Sequence, residues 1–293
     1  MNKQQKAYLY VCIAIFFWAT VPSAFKIGLA QLSTTRFLFI ATIVSTVIFF
    51  ILILLQKKFS LFARYTLKQY IYSALLGMLN PFLYYLVLFR AYSLLPGQVA
   101  QPLNMIWPIL LVFLSVPMLR HKIAGKSYLA LFISFAGVFL ISSQGNPFSL
   151  KFNEPLGVIL ALGSAVMWSF FWLLNVRDTR DETMKLTLSF MFASVYMILL
   201  LILLPEHQPW PLKGIALGVY AGAFEMGITF FFWMKALQLT SSTDKISNLV
   251  YIAPFLSLFI IHIFVGEVIY FTTIIGLALI VTGIILEKIP VGK

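Results

Sequence analysis

Hydrophobic residues form long runs along this chain, and short polar connectors separate most of the runs. A helix needs about 20 apolar residues to cross the hydrocarbon core of a bilayer. The pattern therefore predicts an all-α integral membrane protein with ten transmembrane helices, which leave no segment for a soluble domain. The predicted spans are roughly 7–29, 34–55, 69–92, 96–119, 127–144, 155–175, 184–205, 213–239, 245–265 and 269–288.

Composition supports the membrane interpretation. Hydrophobic residues make up 61% of the 293 positions and charged residues 10%, whereas soluble proteins carry about 25% charged residues. A soluble enzyme, a nucleic-acid-binding domain and a disordered scaffold are therefore poor interpretations, because a soluble fold of this size cannot hide so much apolar surface.

The net charge of +12 predicts an orientation. Basic residues concentrate in alternate connectors and in both tails, and such an excess marks the cytoplasmic side of membrane helices. We therefore expect a multi-pass protein of the cell (inner) membrane with both termini cytoplasmic. The predicted inner residues include Lys57, Lys58, Arg64, Lys68, Arg120, Lys122, Lys126, Arg177, Arg180, Lys185 and Lys245, and the outer ones are Lys26, Arg36, Arg90, Lys151 and Lys213.

The two halves of the chain, 1–146 and 147–293, resemble each other. Aligning Arg90 with Lys235 also aligns Asn80 with Glu225, and a one-residue slip then aligns Pro108 with Pro254. Because five is odd, five helices followed by five similar helices have opposite topologies, as in an inverted repeat. Such halves can open a central site to each side in turn, so the repeat favours a transporter over a membrane enzyme.

Several segments also carry a family resemblance. They are WATVPSAFKIG, RF at 36–37 and LFRAYSLLPGQVAQPLNMIWPILLVFLSVPML in the first half, and WSFFWLLNVR and WMKALQLTSSTDKISNLVYIAPFLSLFIIHIFVGEVIYFTTIIGLALIVTGIILEK in the second. Over nearly its full length the chain resembles the EamA branch of the drug/metabolite transporter superfamily. The resemblance implies ten helices around a central cavity and movement of small metabolites, often export of amino acids, including aromatic ones. Of the family's acidic positions the second half keeps Glu267, which we expect to be structural, for instance capping the start of the span 269–288.

Glu225 is the main candidate for a functional residue. It lies near the middle of the span 213–239, one turn beyond a stripe of Gly214, Gly218 and Gly222 that should pack against a neighbouring helix. An ionisable group at this depth usually faces the bundle interior or a water-filled cavity. It could couple transport to protons, anchor a substrate ammonium group, or simply bond a neighbouring helix.

Amide and aromatic side chains within the spans are further candidates for substrate contact. Amides could line a polar cavity or only join helices, and Asn80, which precedes Pro81, could instead mark a kink. Aromatic rings could stack on an aromatic substrate or hold an organic cation. The candidate substrate-binding residues are Trp18, Asn80, Tyr84, Gln98, Gln101, Asn104, Trp168, Glu225 and Tyr251.

We therefore predict an exporter of small metabolites, with amino acids as the favoured substrates, that works by alternating access. The alternative is a transporter of organic cations that uses Glu225 and an aromatic cage. A membrane-embedded enzyme is disfavoured, because no catalytic motif is present. We predict no cofactor or metal, since Cys12 is the single cysteine. The expected partners are a small-molecule substrate and the lipid bilayer, and no nucleic acid. The protein is expected to be a monomer or a homodimer.

Overall fold

The computed structural model of the protein describes residues 1–119, 125–147, 154–240, 249–250 and 252–288, and every regular element within these ranges is helical. Short 3-10 or π-helical segments cover Phe59–Arg64, Met78–Leu83 and Gly222–Gly227. The α-helices are α1 (Lys3–Leu29), α2 (Thr34–Leu55), α3 (Leu67–Gly77), α4 (Tyr84–Leu94), α5 (Gly97–Asn104), α6 (Trp107–Leu119), α7 (Gly125–Ser142), α8 (Pro155–Arg177), α9 (Glu182–Leu203), α10 (Leu212–Ala221), α11 (Ile228–Leu239), α12 (Ile252–Val265) and α13 (Phe271–Lys288).

Six helical stretches of the described chain are long and apolar enough to cross a bilayer. They are Lys3–Leu29, Thr34–Leu55, Leu67–Leu94, Pro155–Asn175, Glu182–Leu203 and Leu212–Trp233, and shorter apolar helices cover Tyr128–Ser142, Ile252–Val265 and Phe271–Leu286. The predicted all-α membrane fold is thereby confirmed, while the count of ten spans stays a prediction.

Polar residues fix where the first helices begin. The Asn2 side chain accepts a hydrogen bond from the Gln5 backbone at 2.8 Å, and the Gln5 side chain accepts one from the Asn2 backbone at 2.9 Å. This reciprocal pair satisfies two N–H groups that have no partner within the helix. Ser33 caps α2 through a single bond, which its side chain accepts from Arg36 N at 3.2 Å.

Two predicted spans, 69–92 and 213–239, are interrupted near their middles. The first contains the π-helical segment Met78–Leu83, in which Asn80 adopts non-helical angles (φ −149°, ψ 123°) before Pro81. The second contains the π-helical segment Gly222–Gly227, which includes Glu225. Proline lacks the N–H of the helical ladder and clashes with the preceding turn, which accounts for the first interruption.

The predicted span 96–119 is two helices, α5 and α6, with a turn at Met105 and Ile106. Pro108 cannot donate a hydrogen bond to the preceding turn, so the ladder breaks there, but proline is tolerated in the first turn of a new helix. Every residue of α5 is buried. The break therefore places a short helix, rich in amides, inside the bundle.

Small residues bring helices into close contact, as expected in membranes. Gly214, Gly218 and Gly222 of α10 and its extension face Leu32, Ile40 and Ala41 respectively. The expected packing of this glycine stripe against a neighbouring helix is confirmed, and α2 is the main partner. A second close pair joins α7 and α13, where Gly137 and Gly276 each lie against the carbonyl oxygen of the other.

Candidate functional site

A cavity of about 100 Å³ lies between α1, α4, α5, α8 and the segment Gly222–Gly227. Its wall is mostly aromatic and aliphatic, with two amides and a carboxylate. The lining residues are Trp18, Val21, Pro22, Phe25, Tyr84, Leu88, Tyr92, Gln101, Asn104, Met105, Trp107, Trp168, Glu225 and Val250. Six of the nine predicted site residues are therefore brought together here: Trp18, Tyr84, Gln101, Asn104, Trp168 and Glu225.

Glu225 reaches the cavity from an irregular turn. Its Oε1 accepts a hydrogen bond of 3.1 Å from the Tyr85 hydroxyl, and Tyr85 is almost completely buried. Ser45 of α2 donates a hydrogen bond to Gly222 O, at the start of this turn, at 2.8 Å. Short π-helical turns occur frequently at functional sites.

The two amides of the cavity wall are held by neighbouring hydroxyl groups. Asn104 donates to Ser164 Oγ of α8 at 2.9 Å and accepts from the Tyr84 hydroxyl at 3.4 Å. Gln101 accepts from Ser257 Oγ of α12. These bonds fix the orientation of both amides and also tie α5 to helices of the second half.

Aromatic rings form the middle of the wall around Trp168. The Tyr84 ring lies 4.8 Å from the Trp168 ring at an angle of 37°, and the Trp107 ring lies 6.4 Å from it at 70°. Trp18 reaches the cavity from α1. Such tilted and edge-on pairs are the geometries that aromatic rings prefer, and the rings of Tyr84, Trp107 and Trp168 all line the cavity.

Three predicted residues lie elsewhere. Asn80 is buried in the first interrupted helix but does not line the cavity. Gln98 bonds the loop before α13, donating to Val268 O and accepting from Tyr270 N, the latter at 3.0 Å. Tyr251 lies outside the described residues.

Glu267 has a structural role, but it caps a different helix from the one expected. Its carboxylate accepts hydrogen bonds from Gly97 N at 2.8 Å and Gln98 N at 3.1 Å, at the start of α5. The partially positive N-terminus of a helix attracts a carboxylate. The sequence places Glu267 beside α13, and only the fold brings it to α5.

Four aromatic residues of the site or its support are not among the nine predicted substrate-binding residues. Phe25, Tyr92 and Trp107 line the cavity, and Tyr85 is the donor to Glu225. Helical spacing could have found two of them, since Phe25 is two turns beyond Trp18 and Tyr92 two turns beyond Tyr84, on the same helix faces.

The helices are joined at the Phe25–Tyr92 end of the cavity. Lys26 donates to Tyr92 O and Leu95 O, each at 2.8 Å. The rings of Phe25 and Tyr92 lie 5.3 Å apart and edge-on. Together with the Glu267 cap on α5, these bonds connect α1, α4, α5 and the loop before α13 at this end of the cavity.

In the part of the chain that the structure describes, no group of three His, Cys, Asp or Glu side chains could hold a metal ion. Cys12 is exposed on α1. The polar groups that line the cavity are one carboxylate, two amides and the hydroxyl groups of Tyr84 and Tyr92, beside aromatic faces.

Comparison with known proteins gives matches over most of the chain. The sequence model of the EamA-like transporter family matches residues 5–143 and 155–287. The uncharacterized transporter YvbV of Bacillus subtilis is 24% identical over 292 residues, which cover 98% of this chain and 92% of YvbV. The aromatic amino acid exporter YddG of Ancylobacter novellus is 26% identical over 183 residues, 62% of this chain and 63% of YddG.

A solved crystal structure of another protein has a similar fold. It covers 97% of this chain and 96% of its own, with a TM-score of 0.66 and 20% sequence identity. At this identity the likeness concerns the fold alone.

Proposed function

The chain belongs to the EamA-like transporter family, and we propose that it exports small metabolites, with amino acids, including aromatic ones, as the favoured class. Members of this family are transporters, so an enzymatic role is set aside. The mechanism proposed is alternating access around the central cavity, with ten spans arranged as two inverted five-helix repeats, 1–146 and 147–293.

Two observations support the proposed repeat. The family model matches the chain twice, over residues 5–143 and 155–287. The aligned residues Asn80 and Glu225 both lie in π-helical interruptions of long apolar helices. Discontinuous helices at matching positions of two halves are typical of transporters whose substrate site lies at the bilayer midplane.

The basic connectors support cytoplasmic termini in the cell (inner) membrane.

The single observation that carries the proposal is the composition of the cavity wall. The faces of Trp168 and Tyr84 can hold an aromatic or aliphatic side chain, and Gln101 and Asn104 can bond the polar groups of an amino acid. A volume of about 100 Å³ favours a small metabolite over a drug-sized ligand, whose pockets measure roughly 300–1,000 Å³. The name of YddG, an aromatic amino acid exporter, agrees with this class.

Glu225 is the proposed proton-coupling carboxylate. It is the carboxylate of the cavity wall, and a neutral hydroxyl, that of Tyr85, is its bonded partner. A carboxyl group that faces hydroxyl and aromatic neighbours can exist with or without its proton, and the ion pairs found among the described residues do not include Glu225.

Counterflow in proteoliposomes tests the proposal. Purified protein is reconstituted with unlabelled phenylalanine, leucine or tetramethylammonium inside, and entry of the matching labelled compound is followed. Exchange of phenylalanine is expected to exceed exchange of the other two. Failure to move any amino acid under any gradient would contradict the proposed function.

Glu225→Gln separates coupling from binding. With the carboxyl proton site removed, accumulation of phenylalanine driven by a pH gradient should be lost, while phenylalanine exchange survives. The matched control is Glu154→Gln, which removes an exposed carboxylate at the start of α8 and should change neither activity. Full proton-driven accumulation by the Glu225→Gln variant would remove the coupling role.

A second candidate function is transport of an organic cation, which the carboxylate within an aromatic wall favours. Aromatic faces attract cations, and Glu225 would supply the opposite charge. In this case the same Glu225→Gln variant should lose exchange as well as accumulation of tetramethylammonium, because the counter-charge of the bound cation is gone.

A further inference from the structure

A second cavity, of about 430 Å³, lies away from the transport site, where α3 begins and α8 ends. Its lining includes Lys68, Tyr72 and Leu75 of α3 and Arg177, Asp178 and Arg180 from the end of α8 and the following connector. The two sides are joined directly, since the Tyr72 hydroxyl donates to Leu174 O at 3.0 Å and Arg180 Nη1 donates to Gln69 O at 2.9 Å.

The cavity carries an excess of positive charge. Arg180 is neutralised by Asp178, at 2.6 Å, in a pair whose side chains are only 6% and 5% exposed. Lys68 and Arg177 are exposed, and the ion pairs found among the described residues include neither of them. Lys68 and Arg177 therefore line a concave site whose carboxylate, that of Asp178, is already paired with Arg180.

An apolar stripe adjoins these cations. Leu67, Ile71 and Leu75 recur every fourth residue on α3, so they share a helix face, and all three are exposed. This face belongs to the apolar stretch Leu67–Leu94 and points away from the core, towards hydrocarbon in a bilayer. Lys68 lies at the first turn of that stretch and Arg177 just beyond the stretch Pro155–Asn175, which is the level of lipid headgroups.

We propose that this cavity binds the headgroup of an anionic phospholipid, with Lys68 and Arg177 on the phosphate and the acyl chains along the stripe Leu67–Ile71–Leu75. Basic pockets between transmembrane helices on the cytoplasmic side suit such lipids, and a free phosphate would leave the stripe unused. Because the two cations come from different halves of the chain, the bound lipid bridges them on one face of the membrane. The site depends on neither the transported substrate nor Glu225.

Lipid retention tests the proposal. The purified full chain is exposed to phosphatidylglycerol and to phosphatidylcholine with identical acyl chains, and bound lipid is counted by native mass spectrometry. The wild type should retain phosphatidylglycerol preferentially. The Lys68→Gln/Arg177→Gln variant should bind it roughly tenfold to thirtyfold more weakly, and the Ile71→Ser/Leu75→Ser variant should also bind it more weakly.

The matched control is Lys6→Gln/Arg64→Gln, which removes the same charges from exposed positions that do not line this cavity. It should retain phosphatidylglycerol as the wild type does. An equal loss in both charge variants would reduce the effect to overall charge and overturn the proposal. Inorganic phosphate that competes with the lipid at equal concentration would instead identify a site for a free anion, and this result would also overturn it.

Discussion

The hydrogen bond between Tyr85 and Glu225 sets the chemistry of the cavity. Burying a carboxylate among apolar groups is costly unless it is hydrogen-bonded or protonated. The Tyr85 hydroxyl, a neutral donor, meets this need at 3.1 Å, and the ion pairs of the described part of the chain do not include Glu225. A lysine or arginine in place of Tyr85 would hold Glu225 permanently charged.

Removing this hydroxyl should weaken transport. In Tyr85→Phe the carboxylate loses its donor, and a hydrogen bond to a charged group contributes about 1.5–3 kcal/mol. We therefore expect proton-driven accumulation of substrate to fall roughly tenfold or more, and its pH profile to shift. The matched control Tyr8→Phe alters an exposed tyrosine of α1 and should leave the profile unchanged. An unshifted profile in Tyr85→Phe would contradict the role of the hydroxyl.

Asp178 provides a test of stability against pH outside the spans. Burial raises its pKa, but the hydrogen bonds and charge of Arg180 outweigh burial, so the net pKa lies below its ordinary value. A group whose folded pKa is lowered stabilises the fold above its unfolded pKa of about 3.9, and this contribution is lost as the pH falls through the folded pKa.

The lowered pKa of Asp178 predicts how thermal stability should vary with pH. The wild type should unfold at a higher temperature than Asp178→Asn by a constant margin at pH 6–8, and the margin should shrink below about pH 4. Thermal unfolding in detergent across this range measures it. A margin that grows as the pH falls would contradict the assignment of Arg180 as the stabilising partner.

At the scale of elements, three of the predicted spans are interrupted. Proline accounts for the break before Pro81 and for the division of span 96–119 at Pro108. The turn Gly222–Gly227 contains no proline, and Gly227 there adopts φ −100°, ψ −91°. The π-helical form of this turn was not readable from residue types.

Glycine-to-alanine substitutions should have different effects at a close helix contact and at an open position. A Cβ atom at Gly222 would meet the Ala41 carbonyl oxygen, and its backbone Cα at 2.9 Å, whereas a Cβ atom at Gly163 in α8 would have no atom within 4 Å. Gly222→Ala should therefore lower the free energy of unfolding by about 2 kcal/mol. Gly163→Ala should be neutral or raise it by up to about 1 kcal/mol.

Unfolding in detergent measures both variants. If the two alanine variants proved equally stable, close contact between α2 and the helix of Glu225 would not be required for stability.

At the scale of the whole molecule, the bonds at the Phe25–Tyr92 end join helices of both halves across one side of the cavity. They include the Lys26 bonds to α4 and the Glu267 cap on α5. The proposed alternating access would require these helices to separate at this end in one of its two states, so weakening the bonds should favour that state.

Thiol labelling measures the opening. In a Cys12→Ser background, Leu88→Cys places a thiol at a buried position of the cavity wall. Labelling of this thiol reports access from this end. Adding Glu267→Gln should speed its labelling by a membrane-impermeant reagent several-fold, since the neutral amide caps α5 more weakly. Glu154→Gln is the control, and an unchanged rate in the Glu267→Gln variant would show that the cap does not hold this end closed.

Apolar runs and connectors were enough to predict the helical membrane fold, because every backbone group in hydrocarbon must be bonded within its own helix or a closed barrel. Similarly, rarity alone singled out Glu225 and the amides, since polar groups in lipid are costly wherever the chain places them. The family resemblance, read from the same residues, is confirmed by the family match.

Only the tertiary structure decided which polar groups meet. Gln98 and Gln101 are three residues apart, yet Gln98 bonds the loop before α13 while Gln101 lines the cavity. The partners of Glu225 and Glu267, Tyr85 and the start of α5, lie 140 and 170 residues away along the chain. Helix spacing gives the face of a side chain, but the packing of whole helices, set by contacts such as Gly222 on Ala41, determines what that face touches.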